Sequence, residues 1–306
     1  MSIDGQNAQL LLEDETLRDG LQLESRIFSL DEKLELFEML KNAGIKRIQV
    51  GSFVNPKVVP QMADTDELIR SIGSEGNHLT SALVLNEAGL QRALECGVSH
   101  VSLSVSVSDT HSRKNARRPA AEALAEMTRL IRAASAGGLD SRAGLQCVFG
   151  CVYEGQIAES KVVSAAREMI DAGATEINLA DTTGMATPYS IRSVIRRLRQ
   201  EFPHMLISLH LHDTRGLGLT NLFAGYEEGV RSFDVCAGGL GGCPFVKGAA
   251  GNVPTEDAVH MFEAMGIQTG IDIEAVCAVV GFLERKLGRQ LPGRMKRVLK
   301  HGTVCE

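Results

Sequence analysis

Eight short runs of strand character recur along the chain, each followed by a longer stretch whose apolar residues repeat at three and four. The runs are LLEDETL (11–17), RIQVGSF (47–53), HLTSALVL (78–85), HVSLSVSV (100–107), AGLQCVF (143–149), EINLAD (176–181), LISLHLH (206–212) and SFDVCAG (232–238). Segments between them, such as LDEKLELFEMLKNAG (30–44) and AESKVVSAAREMIDAGA (158–174), carry the helical period and close on glycine, as helix C-termini often do. Strand and helix alternating eight times is the pattern of a closed parallel barrel, whereas a doubly wound sheet usually stops at about five to seven strands. The expected fold is therefore α/β, a (β/α)8 TIM barrel. Two further helical patterns, TEDAVHMFEAMG and IEAVCAVVGFLERKLG, exceed one closing helix. Residues from about 250 to 306 are expected as a C-terminal extension packed on the barrel, within one domain spanning 1–306.

Composition narrows the function classes. A chain of 306 residues that is 44% hydrophobic can bury a large core. Its net charge of −6, with three Tyr and no Trp, argues against a nucleic-acid surface, which needs basic residues interleaved with stacking rings. Seven cysteines without a CxxC pair read as reduced thiols, pointing to the cytoplasm. The opening MSIDGQNAQ has neither a basic nor an apolar leader region, and no apolar run approaches a membrane span. Neither export nor a membrane partner is expected.

Catalytic groups of such barrels gather where strands end. At the end of the seventh run, HLHDTRGLG (210–218) puts His210 and His212 at i and i+2, on one face of a strand and spaced for two imidazoles on one ion. RDG follows directly on the first run, aiming Arg18 and Asp19 at the same mouth. Asp19 offers a hard oxygen ligand, and Asn252 in KGAAGN a neutral carbonyl oxygen. Two His, one Asp and one Asn leave room for substrate oxygens around Mg²⁺ or Mn²⁺, with Zn²⁺ also compatible. The competing readings are ordinary hydrogen-bonded histidines, an N-cap for Asp19 and a rim ion pair for Arg18. The loop GGLGGCPFVKGAAGN (238–252) holds six glycines in fifteen residues, a backbone-entropy cost that suggests a lid carrying Cys243; the alternative is an irregular loop with a buried thiol.

Taken together, RDGLQ (18–22), SFVNPKVVPQMAD (52–64), HLHDTRG (210–216) and GGLGGCPFVKGAAGN (238–252) resemble the 3-hydroxy-3-methylglutaryl-CoA lyase family, a metal-dependent branch of the group that includes isopropylmalate and homocitrate synthases. The resemblance spans nearly the whole chain. It implies a divalent cation held by Asp19, His210, His212 and Asn252, with Arg18 neutralising a thioester enolate and Cys243 on a mobile loop. The reaction it implies is retro-Claisen cleavage of a 3-hydroxyacyl-CoA to acetyl-CoA and a keto acid, with acid and base unassigned among Asp19, His210 and Cys243. Gln22 and Ser52 match substrate-pocket positions, and Asp181 matches an aspartate near the metal, with an N-cap as its alternative. Arg113 and Lys114, in RKNARR (113–118), are candidates for the CoA phosphates, a solvated loop being the alternative. A homodimer or larger homo-oligomer is also implied.

The chain departs from that pattern inside the pocket. Gln49 stands where the lyases carry glutamate, Ser25 and Arg26 where a lysine is usual, and Asn178 where a serine is usual. Such changes around an intact ligand set read as a change of substrate within one mechanism, citramalyl-CoA being one example. A condensing transferase acting on a 2-oxo acid and a non-catalytic metal or CoA binder are the other readings. His100, His204 and His260 are expected to be structural or superficial.

Overall fold

The structure, a computed structural model, describes residues 9–73, 78–242 and 251–300. Eight parallel strands close in sequence order: β1 (Leu11–Asp14), β2 (Arg47–Ser52), β3 (Leu79–Val84), β4 (His100–Ser106), β5 (Asp140–Gln146), β6 (Glu176–Ala180), β7 (Leu206–His210) and β8 (Ser232–Val235). β8 returns to β1, pairing Leu11 with Ser232 and Asp14 with Val235. The chain is a TIM barrel, as the alternation predicts.

Helices α1 (Leu30–Asn42), α2 (Thr65–Ile72), α3 (Glu87–Cys96), α4 (Asp109–Asn115), α5 (Ala120–Ala136), α6 (Glu159–Asp171), α7 (Pro188–Glu201) and α8 (Gly218–Glu227) connect the strands. Local chemistry starts them: Ser29 and Glu32 form a reciprocal capping box on α1, and Thr187 caps α7 with Pro188 in its first turn. After β8 come α9 (Thr255–Ala264), α10 (Ile273–Leu287) and α11 (Met295–Lys300). α9 packs on α8 while α10 packs on both α9 and α1, so these two helices together fill the arc that closes the ring.

Several strands end short of the sequence-based expectation, β7 at His210 and β8 at Val235 among them, and two depart for a clear local reason. β1 stops at Asp14 because the chain winds from Thr16 into a π-helical turn, Thr16–Gly20, with Leu21 N–H donating to the Thr16 carbonyl. β5 starts at Asp140 and ends at Gln146, since Cys147 turns out of the strand with φ of 60°.

The two faces of the barrel sheet are sharply different. Outward-facing Ile48, Val101, Leu103, Leu145, Leu179, Leu209 and Phe233 are buried beneath the helices and form the apolar core. Inward-facing Glu13, Arg47, Gln49, Ser81, Ser102, Arg142, Asn178, Ser208 and Asp234 are also buried. A TIM interior is commonly filled by branched aliphatic side chains. Here it is a polar column leading up to the mouth.

Candidate active site at the barrel mouth

The π-helical turn at the end of β1 carries Arg18 and Asp19 over the mouth. Single π turns inside a chain are rare and often mark functional sites, because the wider ring re-aims consecutive side chains. The Arg18 guanidinium donates through Nε to Gln49 Oε1, through Nη1 to Asp19 and through Nη2 to Glu15. Asp19 is shared further: its Oδ1 accepts from Gln22 Nε2 at 2.6 Å and its Oδ2 from Asn252 Nδ2 at 2.7 Å.

β7 ends at His210, and His212 lies two residues on, tied by an isolated antiparallel bridge to Asn252. The Nε2 atoms of the two imidazoles are 3.2 Å apart. Ligand atoms of Asp19, His210 and His212 all lie within 4.8 Å of one another, and the three residues are buried. Gly241 makes this closeness feasible. Its φ is +101°, and a Cβ there would stand 2.6 Å from Asn252 Nδ2, so a side chain would push the asparagine out of the cluster.

Below the mouth an ionic network runs down the barrel axis. Arg142 Nη1 donates to Glu13 at 2.8 Å and to Asp234 at 2.6 Å, and its Nη2 donates to Glu15 at 2.8 Å. Arg47 pairs with Glu13 and with Glu176, each at 2.8 Å. Asp234 Oδ2 in turn faces His210 Nδ1 at 3.2 Å, and Glu15 Oε2 lies 3.4 Å from the same nitrogen. Removing one partner from such a buried network strands a charge at a cost of about 3–5 kcal/mol, while the intact network adds little net stability. Its retention is better explained by what it organises than by stability.

Charge and donor chemistry test whether a cation fits. Three guanidiniums (Arg18, Arg47, Arg142) face five carboxylates (Glu13, Glu15, Asp19, Glu176, Asp234) in one connected network, formally two negative charges in excess. Burial opposes a charge on His210, yet Glu15 and the Asp234 contact prevail and push its pKa up to about 10. Burial and the neighbouring His210 push His212 down to about 4. Against desolvation, Arg18 and His210 hold Asp19 below the usual carboxylate range. A field that draws a proton onto a buried imidazole equally favours a divalent cation, and the N, N, O donor set suits one. The residues present fit the ion.

The structure thus brings together Arg18, Asp19, Gln22, Gln49, His210, His212 and Asn252. Asn178 lies lower in the column, donating to Ser208 Oγ at 3.0 Å and to Asp234 Oδ2 at 3.1 Å. Asp181 closes the loop after β6 by accepting from the backbone N–H of Met185 at 2.8 Å and of Ala186 at 3.0 Å. Its other oxygen is buried with no partner among the described residues, and burial pushes its pKa up to about 7. Ser52 sits on the β2–β3 rim, its hydroxyl donating to the Leu83 carbonyl at 3.4 Å. Arg113 is half exposed and pairs with Asp109, while Lys114 lies 4.4 Å over the Tyr153 ring. Cys243, with most of its loop, lies outside the described residues. His100 is buried beside Arg47, and His204 and His260 are exposed, in line with their reading as structural or superficial.

Sequence reasoning missed Glu15, Arg142 and Asp234. Glu13 and Glu15 do share a face at period two, but Asp14 on the opposite face removes the polar–apolar contrast that would say which side is inside. Asp234 stood in plain view as a charge amid the apolar SFDV, and Arg142 lay one residue before the expected start of its strand.

Comparison with known proteins identifies the family. The HMGL-like family profile matches residues 9–282. The chain is 41% identical over 285 residues to the (R)-citramalyl-CoA lyase of Chloroflexus aurantiacus, covering 90% of each. It is 37% identical to the hydroxymethylglutaryl-CoA lyase of Bacillus subtilis, covering 92% of this chain and 95% of the relative. An HMG-CoA lyase from Acinetobacter baumannii, solved in complex with coenzyme A and 3-methylmalate, superposes with a TM-score of 0.90 at 36% identity, covering 100% of this chain and 98% of that one. With the profile covering most of its length and relatives this similar end to end, the chain belongs to the HMGL-like family.

Proposed function

We propose that this chain is a divalent-metal-dependent carbon–carbon lyase that cleaves a 3-hydroxy-3-methylglutaryl-CoA-like thioester to acetyl-CoA and a keto acid. The observation that carries this reading is the convergence of Asp19, His210 and His212 within 4.8 Å at the C-terminal mouth, with Arg18 alongside. Asp19, His210, His212 and Asn252 would hold the cation. When bound, it supplies Lewis-acid polarisation of the substrate's C3 oxygen. Arg18 has five N–H groups and its three protein contacts leave donors over for the thioester oxygen, where negative charge collects as the C2–C3 bond breaks. The hydroxyl proton leaves to a base and a proton returns to C2 from an acid, roles we assign among Asp19, His210 and Cys243. Gln22, Gln49, Ser52, Asn178 and Asp181 are assigned to the acyl pocket and its walls, and Arg113 with Lys114 to the CoA phosphates at the rim.

A second substrate is favoured by a specific observation. The 41% identical relative is an (R)-citramalyl-CoA lyase, and Gln49, at a position where the family resemblance implies a glutamate, is in keeping with a different acyl group handled by the same machinery. In either case we read the protein as cytoplasmic and homo-oligomeric, using Mg²⁺ or Mn²⁺, with Zn²⁺ as the alternative ion. Described cysteines 96, 147, 151, 236 and 277 are free thiols, in keeping with a reducing compartment. No helix among the described residues is long and apolar enough to cross a membrane.

The test is acetyl-CoA release from 3-hydroxy-3-methylglutaryl-CoA and from citramalyl-CoA by chelator-treated protein, with each ion restored in turn. Metal-restored release from either substrate supports the lyase and identifies its acyl group. Full activity after chelation sinks the metal reading, and no release from either thioester under any ion sinks the lyase reading.

A further inference from the structure

We infer that Glu15 is a positioning residue that couples the metal side of the site to the guanidinium side, an inference that rests on the lyase reading above. The carboxylate is fully buried and both oxygens are committed. Oε1 accepts from Arg142 Nη2 at 2.8 Å, which anchors it to the polar column. Oε2 accepts from Arg18 Nη2 and lies 3.4 Å from His210 Nδ1. One rigid group therefore touches both the arginine assigned to the thioester oxygen and a histidine assigned to the cation.

Each contact constrains geometry in a way the reaction needs. With Nη2 fixed by Glu15, Nε by Gln49 and Nη1 by Asp19, the Arg18 guanidinium plane has one orientation. With Glu15 and Asp234 both facing His210 Nδ1, that nitrogen keeps its hydrogen and Nε2 is the atom turned towards His212. A carboxylate on the far nitrogen of a ligating histidine is the usual way proteins fix its ring. Of Arg18 and His210, Asp234 touches only the histidine, whereas Glu15 touches both. Glu15 touches no reacting atom, so its effect passes through Arg18 and His210.

Two variants separate positioning from packing. Glu15→Asp keeps the charge and withdraws it by one methylene, and Glu15→Gln keeps the shape and removes the charge. Mn²⁺ affinity measured without substrate is expected to weaken about 10–100-fold in either variant, the range for loss of an outer-shell partner. In turnover, kcat should fall by a similar factor with KM little changed. Wild-type Mn²⁺ affinity and kcat in a folded variant, whatever its Tm, would overturn the inference. If neither variant folds, NMR on the wild-type chain decides: the Nδ1 hydrogen of His210 should persist after loading with diamagnetic Mg²⁺ or Zn²⁺, and its disappearance overturns the inference. His212→Ala separates the two levels. Unchanged Mn²⁺ affinity there removes the site reading and this inference with it, whereas lost affinity there beside wild-type behaviour at Glu15→Asp removes this inference alone.

Discussion

The Nε2 nitrogens of His210 and His212 face each other across 3.2 Å, although burial and the adjacent carboxylates drive the two rings to opposite protonation states. At neutral pH His210 carries a proton on both nitrogens, and His212 is neutral. Ligation through His210 Nε2 requires one of those protons to leave. Mn²⁺ binding at pH 7.5 is therefore expected to release about one proton, and affinity should rise with pH between about 6 and 9. Calorimetry in buffers of different ionisation enthalpy measures the proton count, and a count of zero with pH-independent affinity would contradict ligation by a doubly protonated His210.

Arg18 reaches three acceptors with three different nitrogens, a fork that a lysine's single ammonium cannot reproduce. Arg18→Lys is expected to lower kcat by about 10²–10³, the scale for losing one donor to a developing oxyanion, with a much smaller change in KM. Steady-state kinetics on the active thioester decides it. A kcat within threefold of wild type would return Arg18 to the status of a rim ion pair.

Glu256, on α9, accepts from the Gly238 N–H at 2.9 Å through one oxygen, while the other is buried with no partner among the described residues. Burial pushes its pKa from 4.5 to about 7. The folded chain therefore keeps a proton that the unfolded chain loses above 4.5, so this group lowers stability progressively between pH 4.5 and 7, by up to about 3 kcal/mol. Glu256→Gln removes that slope. In urea denaturation, the variant should gain on wild type by up to that amount as pH is raised from 5 to 8; two parallel stability profiles would contradict the argument.

Phe262 of α9 is fully buried, with its ring 5.9 Å from that of Phe233 on β8 and 5.4 Å from that of Tyr226 on α8. We propose that α9 to α11 fold with the barrel as one unit spanning 1–306. Phe262→Ala is then expected to cost about 3–5 kcal/mol and to shift a single unfolding transition monitored by circular dichroism and intrinsic tyrosine fluorescence together. Two separated transitions would instead make the C-terminal helices an independent module.

Much of this molecule was legible in its sequence because the signals involved are local. Period-two and period-3.6 alternation fixes strands and helices through the geometry of one element. Glycines such as Gly44 and Gly97, which end helices at φ of 93° and 80°, announce themselves by a conformation other residues avoid. The His210/His212 spacing is likewise a property of one strand end. Only tertiary structure could decide the rest. Asp19 meets Asn252 across 233 positions, and Glu13 meets Arg142 across 129, because barrel closure joins β8 to β1 and points alternate residues of every strand at one axis. Which face of β1 turns inward was undetermined, since Glu13, Asp14 and Glu15 carry charge on both sides. It is settled by partners on other strands, as a charge can be buried only where an opposite charge or hydrogen-bond donor meets it. The amide of Gln49 shows the same limit: its type was readable, but its oxygen turns to Arg18 and its nitrogen to Ser102 only because the closed barrel puts a donor on one side and a hydroxyl acceptor on the other.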